Sequence, residues 1–113
     1  MSSIFTKIIN KEIDSDIIYE DDHAIAFNDT SPQSPIHFLI IPKKEIKTLN
    51  DIAENDKELI GHLFIVAKKI AKKLRCSENG YRIVFNCNEN AGQSVFHIHM
   101  HVLAGRKLSW PPG

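Results

Sequence analysis

Apolar residues recur at helical spacing in two parts of the chain. The longer stripe is formed by Leu59, Ile60, Leu63, Phe64, Ala67, Ile70, Ala71 and Leu74. Asn55 and Glu58 precede it with the spacing of a capping box, so the pattern predicts one long amphipathic helix that opens at Asn55. Near the start of the chain, apolar residues at positions 4, 5, 8 and 9 predict a short amphipathic helix.

Five further segments have the length and composition of β-strands. Two of them, "DIIYEDD" and "HAIAFND", flank an acidic turn, and Ile25 and Phe27 alternate there with smaller residues. "IHFLII" is apolar on both faces apart from His37, which favours a central strand. "YRIVFN" and residues 95–103 are the last two. This order predicts a single α+β domain over residues 1–113 with a mostly antiparallel five-stranded sheet.

Composition limits the classes of partner. The 113 residues carry 14 basic and 14 acidic side chains, so no net charge recruits nucleic acid or an anionic membrane. The longest apolar run, "FLII", is far too short to span a membrane, and the first ten residues lack the features of a secretory signal. We therefore expect a cytoplasmic protein that binds neither membranes nor nucleic acid, with Cys76 and Cys87 reduced.

Three histidines, His97, His99 and His101, alternate along "HIHMHV". On a regular strand they would form one row, about 6.5–7 Å apart. A purely structural role is disfavoured, because a buried row of imidazoles is costly to satisfy with hydrogen bonds. One zinc ion could hold two of them but not easily all three, because their backbone span is about 13–14 Å. Phosphate chemistry is the other alternative, since one neutral imidazole can attack while a neighbour donates.

The turn ahead of the histidines favours phosphate. "ENAGQS" supplies a flexible glycine, Gly92, together with main-chain N–H groups, the Gln93 amide and the Ser94 hydroxyl, which suit an anion-binding turn. On a regular strand, Ser94 has the wrong parity to share the histidine face. The chain must therefore bend at Ser94 or Val95 if the serine takes part.

"HIHMHVL" matches the His-x-His-x-His-x-x signature with apolar x, and the chain thereby resembles the histidine triad (HIT) superfamily. The flanking "GQSVFHIHMHVLAGR", the upstream "AFNDTSPQSPIHFLIIPKK" and the ending "WPPG" resemble its histidine triad nucleotide-binding branch, the purine nucleoside phosphoramidases. The resemblance runs from residue 4 to residue 113. It implies the HIT-like fold and a homodimer, in which the long helix and "YRIVFN" form the interface and the sheet continues across both subunits.

The resemblance also implies roles for individual residues. His99 matches the nucleophile that attacks the α-phosphorus, and the carbonyl of His97 should hold its Nδ1–H. His101 should contact a phosphate oxygen, His37 should hydrogen-bond within the triad, and Ser94 should meet the leaving group. The residues that it implies for substrate binding are Asp29, Thr30, Asn86, Gly92, Gln93, Val95, Ile4, Phe5, Ile8, Ile13, Phe27, Leu39 and Trp110.

Several of these residues have a second interpretation. Asp29 is implied as the acceptor of both ribose hydroxyls, yet at the head of a proline-rich loop it also suits a turn cap. The six apolar residues implied as walls of a purine pocket would also suit an ordinary core. Trp110 is implied to reach the active site of the partner subunit.

The resemblance implies an enzyme that needs neither metal nor cofactor. Such a hydrolase would cleave the P–N bond of purine nucleoside 5′-phosphoramidates through a covalent nucleotidyl-histidine and release AMP or GMP. Aminoacyl adenylates are a further implied substrate class. Two other hypotheses remain, a non-catalytic purine nucleotide-binding module and a zinc protein. Turnover distinguishes the enzyme from the binding module, and metal content would reveal a zinc protein.

Overall fold

A five-stranded sheet organises the chain. The computed structural model describes residues 3–113, and its strands are β1 (Ile17–Glu20), β2 (Ala24–Asn28), β3 (Ile36–Pro42), β4 (Tyr81–Val84) and β5 (Met100–Ala104). Their spatial order is β1-β2-β3-β5-β4, and all neighbouring pairs are antiparallel. The prediction of an α+β fold with a five-stranded antiparallel sheet and a central "IHFLII" strand is confirmed.

Two helices cover opposite faces of this sheet. The long helix α2 (Lys57–Lys73) packs on one face in a core of Ala24, Ala26, Phe38, Ile40, Leu63, Val66, Ala67, Ile70, Met100 and Val102. The short helix α1 (Ile4–Ile9) lies against the other face, in a core of Phe5, Ile8, Ile25, Phe27, Leu39 and Ile41. Because α1 has only 6 residues, against 17 in α2, it leaves part of its face open. Within residues 3–113, no helix is long and apolar enough to cross a membrane.

The long helix begins at Lys57, so the predicted start at Asn55 is wrong. Asn55 lies instead in a short 3-10 turn, Glu54–Asp56, that precedes the helix. The carboxylate of Asp56 accepts a hydrogen bond from the main-chain N–H of Ala53 at 2.9 Å and another from Lys44 Nζ at 2.6 Å. A tertiary contact with Lys44, which helical periodicity does not report, therefore sets the register of this turn.

The apolar stripe on α2 is also narrower than predicted. The pattern predicts Phe64 and Leu74 on the buried face, but their exposed fractions are 45% and 40%. Val66, which is not part of the predicted stripe, is fully buried. The sheet therefore covers one side of α2 and leaves Phe64 and its neighbour Ile65 on the surface.

The last strand begins at Met100 rather than near residue 95. If the pairing of β3 with β5 continued past Ile40 and Met100, Pro42 would stand opposite Ile98. Pro42 has no N–H to donate to that ladder. The N–H of Ile98 donates instead to the carbonyl of Ile46 at 2.8 Å, and residues 95–97 bend away from strand geometry. The strand β4 likewise ends at Val84, short of its predicted end at residue 86.

Replacing Gly105 with alanine should destabilise the fold. Gly105 has φ +93°, and an added Cβ would stand 2.9 Å from Cβ of Pro35. We expect a loss of about 1–3 kcal/mol in the free energy of unfolding, measured by urea denaturation. Gly61→Ala is the matched control, because a Cβ at Gly61 meets nothing within 4 Å. In a helix interior that change should stabilise by about 0.5–1 kcal/mol, and equal effects of the two substitutions would refute the strain argument.

Candidate functional site

A pocket of about 700 Å³ opens beside α1, the end of β2 and the segment that precedes β5. This volume lies in the range of small-molecule sites. The lining residues are Ile4, Phe5, Ile8, Ile13, Asp14, Ser15, Asp16, Phe27, Asn28, Asp29, Thr30, Leu39, Asn86, Gly92, Ser94, Val95, His99 and His101. Four of the predicted site residues, His37, His97, Gln93 and Trp110, do not line it.

The imidazole of His99 has one nitrogen occupied and one free. Its Nδ1 lies 2.9 Å from the carbonyl oxygen of His97. Because a carbonyl only accepts, Nδ1 must carry the proton, and the lone pair of the neutral ring is therefore on Nε2. Burial lowers the pKa of His99, although the His97 carbonyl and Asp29 oppose this shift, so the ring is neutral at pH 7. A neutral imidazole with a free Nε2 is the form that can act as a nucleophile.

His97 lies behind the pocket and not in it. Its ring is fully buried, and Nε2 donates to the carbonyl of Pro42 at 2.7 Å. Within residues 3–113, its Nδ1 has no hydrogen-bond partner. The predicted row of three imidazoles on one strand is therefore wrong, since only His101 belongs to β5 and the chain bends before it. What His97 supplies to the site is its main-chain carbonyl.

His37 and His101 form a pair with defined proton positions. The main-chain N–H of Gln33 donates to Nδ1 of His37 at 3.0 Å, so the proton of His37 is on Nε2. That Nε2–H donates to Nδ1 of His101 at 2.9 Å, and the proton of neutral His101 is therefore on its own Nε2. Burial, followed by the neighbouring charges of His99 and His37, lowers the pKa of His101 to about 4. Next to the free lone pair of His99, the pocket thus has a neutral N–H donor.

Asp29 follows β2 and is held by the loop after it. One of its carboxylate oxygens, Oδ1, accepts the N–H of Ser31 at 2.7 Å, so the turn-capping interpretation is present in the structure. The other oxygen, Oδ2, lies 3.5 Å from Nε2 of His37. The carboxylate still lines the pocket with acceptor capacity to spare. The cap and a ligand-binding role are therefore compatible.

Asp29, His37 and His101 are also close enough together to be considered as metal ligands. One donor atom from each lies within 4.8 Å of the others. A metal bound at Nε2 of His37 would need the lone pair there. The N–H of Gln33 points at Nδ1 and places the proton on Nε2, so that lone pair is not available. The hydrogen-bond pattern thus disfavours a metal at these three residues.

The turn before Ser94 uses most of its polar groups internally. The main-chain N–H of Gln93 donates to the carbonyl of Asn88, and the N–H of Gly92 is also bonded within the turn. The Gln93 side chain accepts from the N–H of Asn88 at 2.9 Å and donates to the carbonyl of Lys47 at 2.8 Å. The side-chain amide of Gln93 is thus bonded within the protein and does not line the pocket, and its predicted contact with a ligand stays a prediction. Gly92 has the left-handed φ of +79° that the turn requires, and the bend beyond it brings Ser94 into the pocket.

The six apolar residues predicted as pocket walls fall into two groups. Phe5, Ile8, Phe27 and Leu39 are buried members of the core beneath α1. Ile4 and Ile13 also line the pocket, but their exposed fractions are 52% and 38%. Core packing accounts for the first group. It does not account for two large aliphatic side chains at the rim, which a flat apolar ligand would cover.

Negative charge dominates the pocket. Asp14 and Asp16 line it together with Asp29, and none of its lining residues is Lys or Arg. No motif in the sequence indicated Asp14, Asp16, Ser15 or Asn28 as pocket residues. The available signal was their position in the chain, since each is adjacent or nearly adjacent to a predicted wall residue. A ligand in this pocket meets carboxylates and neutral imidazoles.

Trp110 lies outside this pocket and is 81% exposed. The guanidinium of Arg82 on β4 stands 6.0 Å from its ring centroid, and Arg82 Nη1 donates to the carbonyl of Ser109 at 3.0 Å. The tail is thus attached to the edge strand of the sheet. The predicted contact of Trp110 is with a partner subunit and stays a prediction.

Comparisons with known proteins agree with this geometry. The HIT domain model matches residues 10–108. An uncharacterized HIT-like protein of Synechococcus elongatus is 48% identical over 111 residues, which cover 98% of this chain and 96% of the relative. A similar protein of Synechocystis is 47% identical over the same shares of each chain.

Solved structures show the same fold. A HIT family hydrolase from Legionella pneumophila superposes with a TM-score of 0.97 at 49% identity, over 99% of this chain and all of that one. A histidine triad nucleotide-binding protein from Candida albicans has a TM-score of 0.83 at 33% identity, over 97% of this chain and 83% of that one. With the family model covering most of its length and its histidine pattern built into the pocket, this chain belongs to the HIT domain family.

Proposed function

We propose that this protein is a hydrolase that cleaves the P–N bond of purine nucleoside 5′-phosphoramidates. The observation that carries the proposal is the pair of neutral imidazoles at the pocket, His99 with a free Nε2 lone pair and His101 with an Nε2–H. Their ring centroids are 5.1 Å apart, close enough for both to meet one phosphate group. The Legionella relative, a HIT family hydrolase, supports a hydrolytic function at a coarser level.

The reaction would have two steps. Nε2 of His99 attacks the phosphorus, a new N–P bond forms, and the P–N bond to the amine breaks as the leaving nitrogen takes up a proton from solvent, which the hydrolytic second step returns. His101 donates to a phosphate oxygen throughout. Water then attacks the nucleotidyl-His99, restores the free imidazole and releases AMP or GMP. Ser94, which lines the pocket beside the triad, is assigned to the side of the leaving group.

The nucleoside would lie along the pocket away from the histidines. The Asp29 carboxylate is suited to accept both ribose hydroxyls, because it is acceptor-only and lines the same pocket as the two histidines and the apolar residues. The purine would cover the exposed side chains of Ile4 and Ile13. Thr30, Asn86 and Val95 complete the proposed contacts. The Candida relative, a histidine triad nucleotide-binding protein, supports a nucleotide as the ligand.

Charge in the pocket favours a phosphoramidate over a polyphosphate. A phosphoramidate with one bridging nitrogen carries a single negative charge at phosphorus, whereas a dinucleoside polyphosphate carries several in a row. The three carboxylates repel the additional charges, and among the lining residues neither a protonated imidazole nor a Lys or Arg offsets this repulsion. Aminoacyl adenylates also fit, because their ammonium group is positive.

We also propose that the protein is a homodimer. The strand β4 is an edge of the sheet, and an unpaired edge can extend into a second copy. Phe64 and Ile65 on α2 are 45% and 49% exposed, and the ring of Phe64 lies 6.3 Å from that of Phe85, just after β4. The unpaired edge of β4 and the apolar side chains of Phe64 and Ile65 together form a surface that suits a two-fold contact. Trp110, attached to β4 through Arg82, would then reach the partner.

Substitution of His99 tests the mechanism. His99→Asn should reduce turnover of adenosine 5′-phosphoramidate by at least about three orders of magnitude, because the covalent step is lost. AMP affinity, measured by calorimetry, should stay close to that of the unmodified protein. Denaturing mass spectrometry after rapid quench should find one nucleoside monophosphate on His99. Binding of AMP without any turnover by the unmodified protein would support the non-catalytic module instead.

A panel of substrates tests the role of charge. Phosphoramidates should exceed dinucleoside polyphosphates in kcat/KM by at least about tenfold at low salt, and added salt should narrow the ratio. Asp14→Asn removes one exposed carboxylate of the pocket and should raise the polyphosphate rate relative to the phosphoramidate rate. Glu78→Gln, which removes an exposed carboxylate that does not line the pocket, is the control for the same change of one unit of charge. A ratio that neither salt nor Asp14→Asn changes would contradict the electrostatic argument.

Deletion of residues 109–113 tests the dimer and the tail. We expect a two-subunit mass by light scattering before and after deletion, because α2 and β4 lie outside the deleted segment. AMP affinity should be nearly unchanged, while the ranking of amine leaving groups should alter. A monomer in solution, or an unaltered ranking, would count against the proposed reach of Trp110 into the partner's pocket.

A further inference from the structure

The loop between Asp29 and His37 connects two parts of the pocket. The N–H of Ser31 donates to the carboxylate of Asp29, and Gln33 Nε2 donates to the carbonyl of Ser31 at 2.9 Å. Two residues later in the loop, the N–H of Gln33 donates to Nδ1 of His37. One short segment therefore orients the proposed ribose acceptor and also determines which nitrogen of His37 carries the proton.

Arg106 holds this loop from the far side. Its Nε and Nη2 both donate to the carbonyl of Gln33, at 3.1 and 3.0 Å, and Nη1 donates to the carbonyl of Lys107. Arg106 comes two residues after the end of β5, the strand that carries His101. The intervening Gly105 packs against Pro35, at the end of the same loop. Arg106 and Gly105 thus attach the loop to β5, the strand that carries His101.

The guanidinium is suited to this task because its donors are held in one plane. Two N–H groups that converge on one carbonyl restrict the direction of that peptide more than a single bond does. Lysine can supply only a point charge with one such bond. The side chain of Arg106 is exposed and does not line the pocket, and it would therefore act on the pocket through residue 33.

We propose that Arg106 is a positioning residue which, by holding residue 33, keeps His37 and His101 in the tautomers that present an Nε2–H to the substrate. This inference rests on the proposed function, because it assigns His101 as the donor to phosphate. Without the attachment, the Gln33 N–H no longer points steadily at Nδ1 of His37. His37 can then carry its proton on Nδ1, His101 takes the opposite tautomer, and a lone pair faces the phosphate oxygen.

The direct measurement is of the imidazole nitrogens. In protein labelled with ¹⁵N-histidine, at pH 7, His37 and His101 should both show Nε2–H, and His99 should show Nδ1–H. Arg106→Ala should broaden or shift the nitrogen signals of His37 and His101 towards the mixed-tautomer range. The signals of His97 and His99 should not move, because the carbonyl of Pro42 accepts from the ring of His97 and the carbonyl of His97 accepts from the ring of His99. They serve as the internal check that the variant is folded.

Kinetics supply the second readout. Arg106→Ala should lower kcat for a purine phosphoramidate about tenfold or more, with a smaller change in KM, because the donor to the transition state is misdirected. Arg106→Lys should recover part of the loss. Lys107→Ala, which removes the same charge from the exposed neighbouring residue, should stay within about twofold of the unmodified protein.

The outcomes separate the two proposals. Wild-type kcat and wild-type nitrogen signals in Arg106→Ala would overturn the inference about Arg106. An equal loss in Lys107→Ala would overturn it as well, because the effect would then be one of charge alone. If the unmodified protein hydrolyses no phosphoramidate, the proposed function fails, while the nitrogen signals still decide whether Arg106 controls the tautomers.

Discussion

Main-chain groups determine where the protons of this pocket are. The carbonyl of His97 holds the Nδ1–H of His99, the carbonyl of Pro42 holds the ring of His97, and the N–H of Gln33 fixes His37 and thereby His101. A peptide group does not titrate, so the tautomers of His97, His99 and His37 do not depend on a second ionisable partner, whereas that of His101 depends on His37. Burial acts in the same direction, because it lowers the pKa of each of the four imidazoles. Every chemical role assigned to the histidines follows from this arrangement.

The arrangement requires the chain to leave the sheet before it reaches the pocket. Pro42 stops the pairing of β3 with the segment before β5, because it has no N–H, and its free carbonyl accepts from His97. The resulting bend moves His97 into the interior and lets Ser94 line the pocket with His99. A regular strand would have placed the three imidazoles in a row and Ser94 on the other face. The local break in secondary structure therefore creates the site.

Local patterns in the sequence predicted much of this structure. Alternation along residues 24–28 gave the two faces of β2 correctly, and the "HIHMHV" motif located the pocket. Several of the differences from prediction involve a contact between residues distant in the chain. Lys44 bonds to Asp56 and changes the start of α2, Lys47 occupies the amide of Gln93, and Arg106 bonds to the loop at residue 33. Neither periodicity nor a motif reports such pairs, because they depend on which elements the fold brings together.

The acidic pocket has a consequence for the chemistry of the proposed intermediate. In the proposed reaction, attack by neutral His99 on phosphorus would make its ring positively charged, and the Nδ1–H bond to the His97 carbonyl would strengthen as that charge develops. Asp29 acts in the same sense, since its charge favours the cationic form of His99. A pocket rich in Lys or Arg would bind phosphate more tightly, but it would oppose the development of positive charge on His99. Carboxylates beside a buried imidazole nucleophile instead favour the transition state over the bound ground state, which is the condition for catalysis rather than for tight binding.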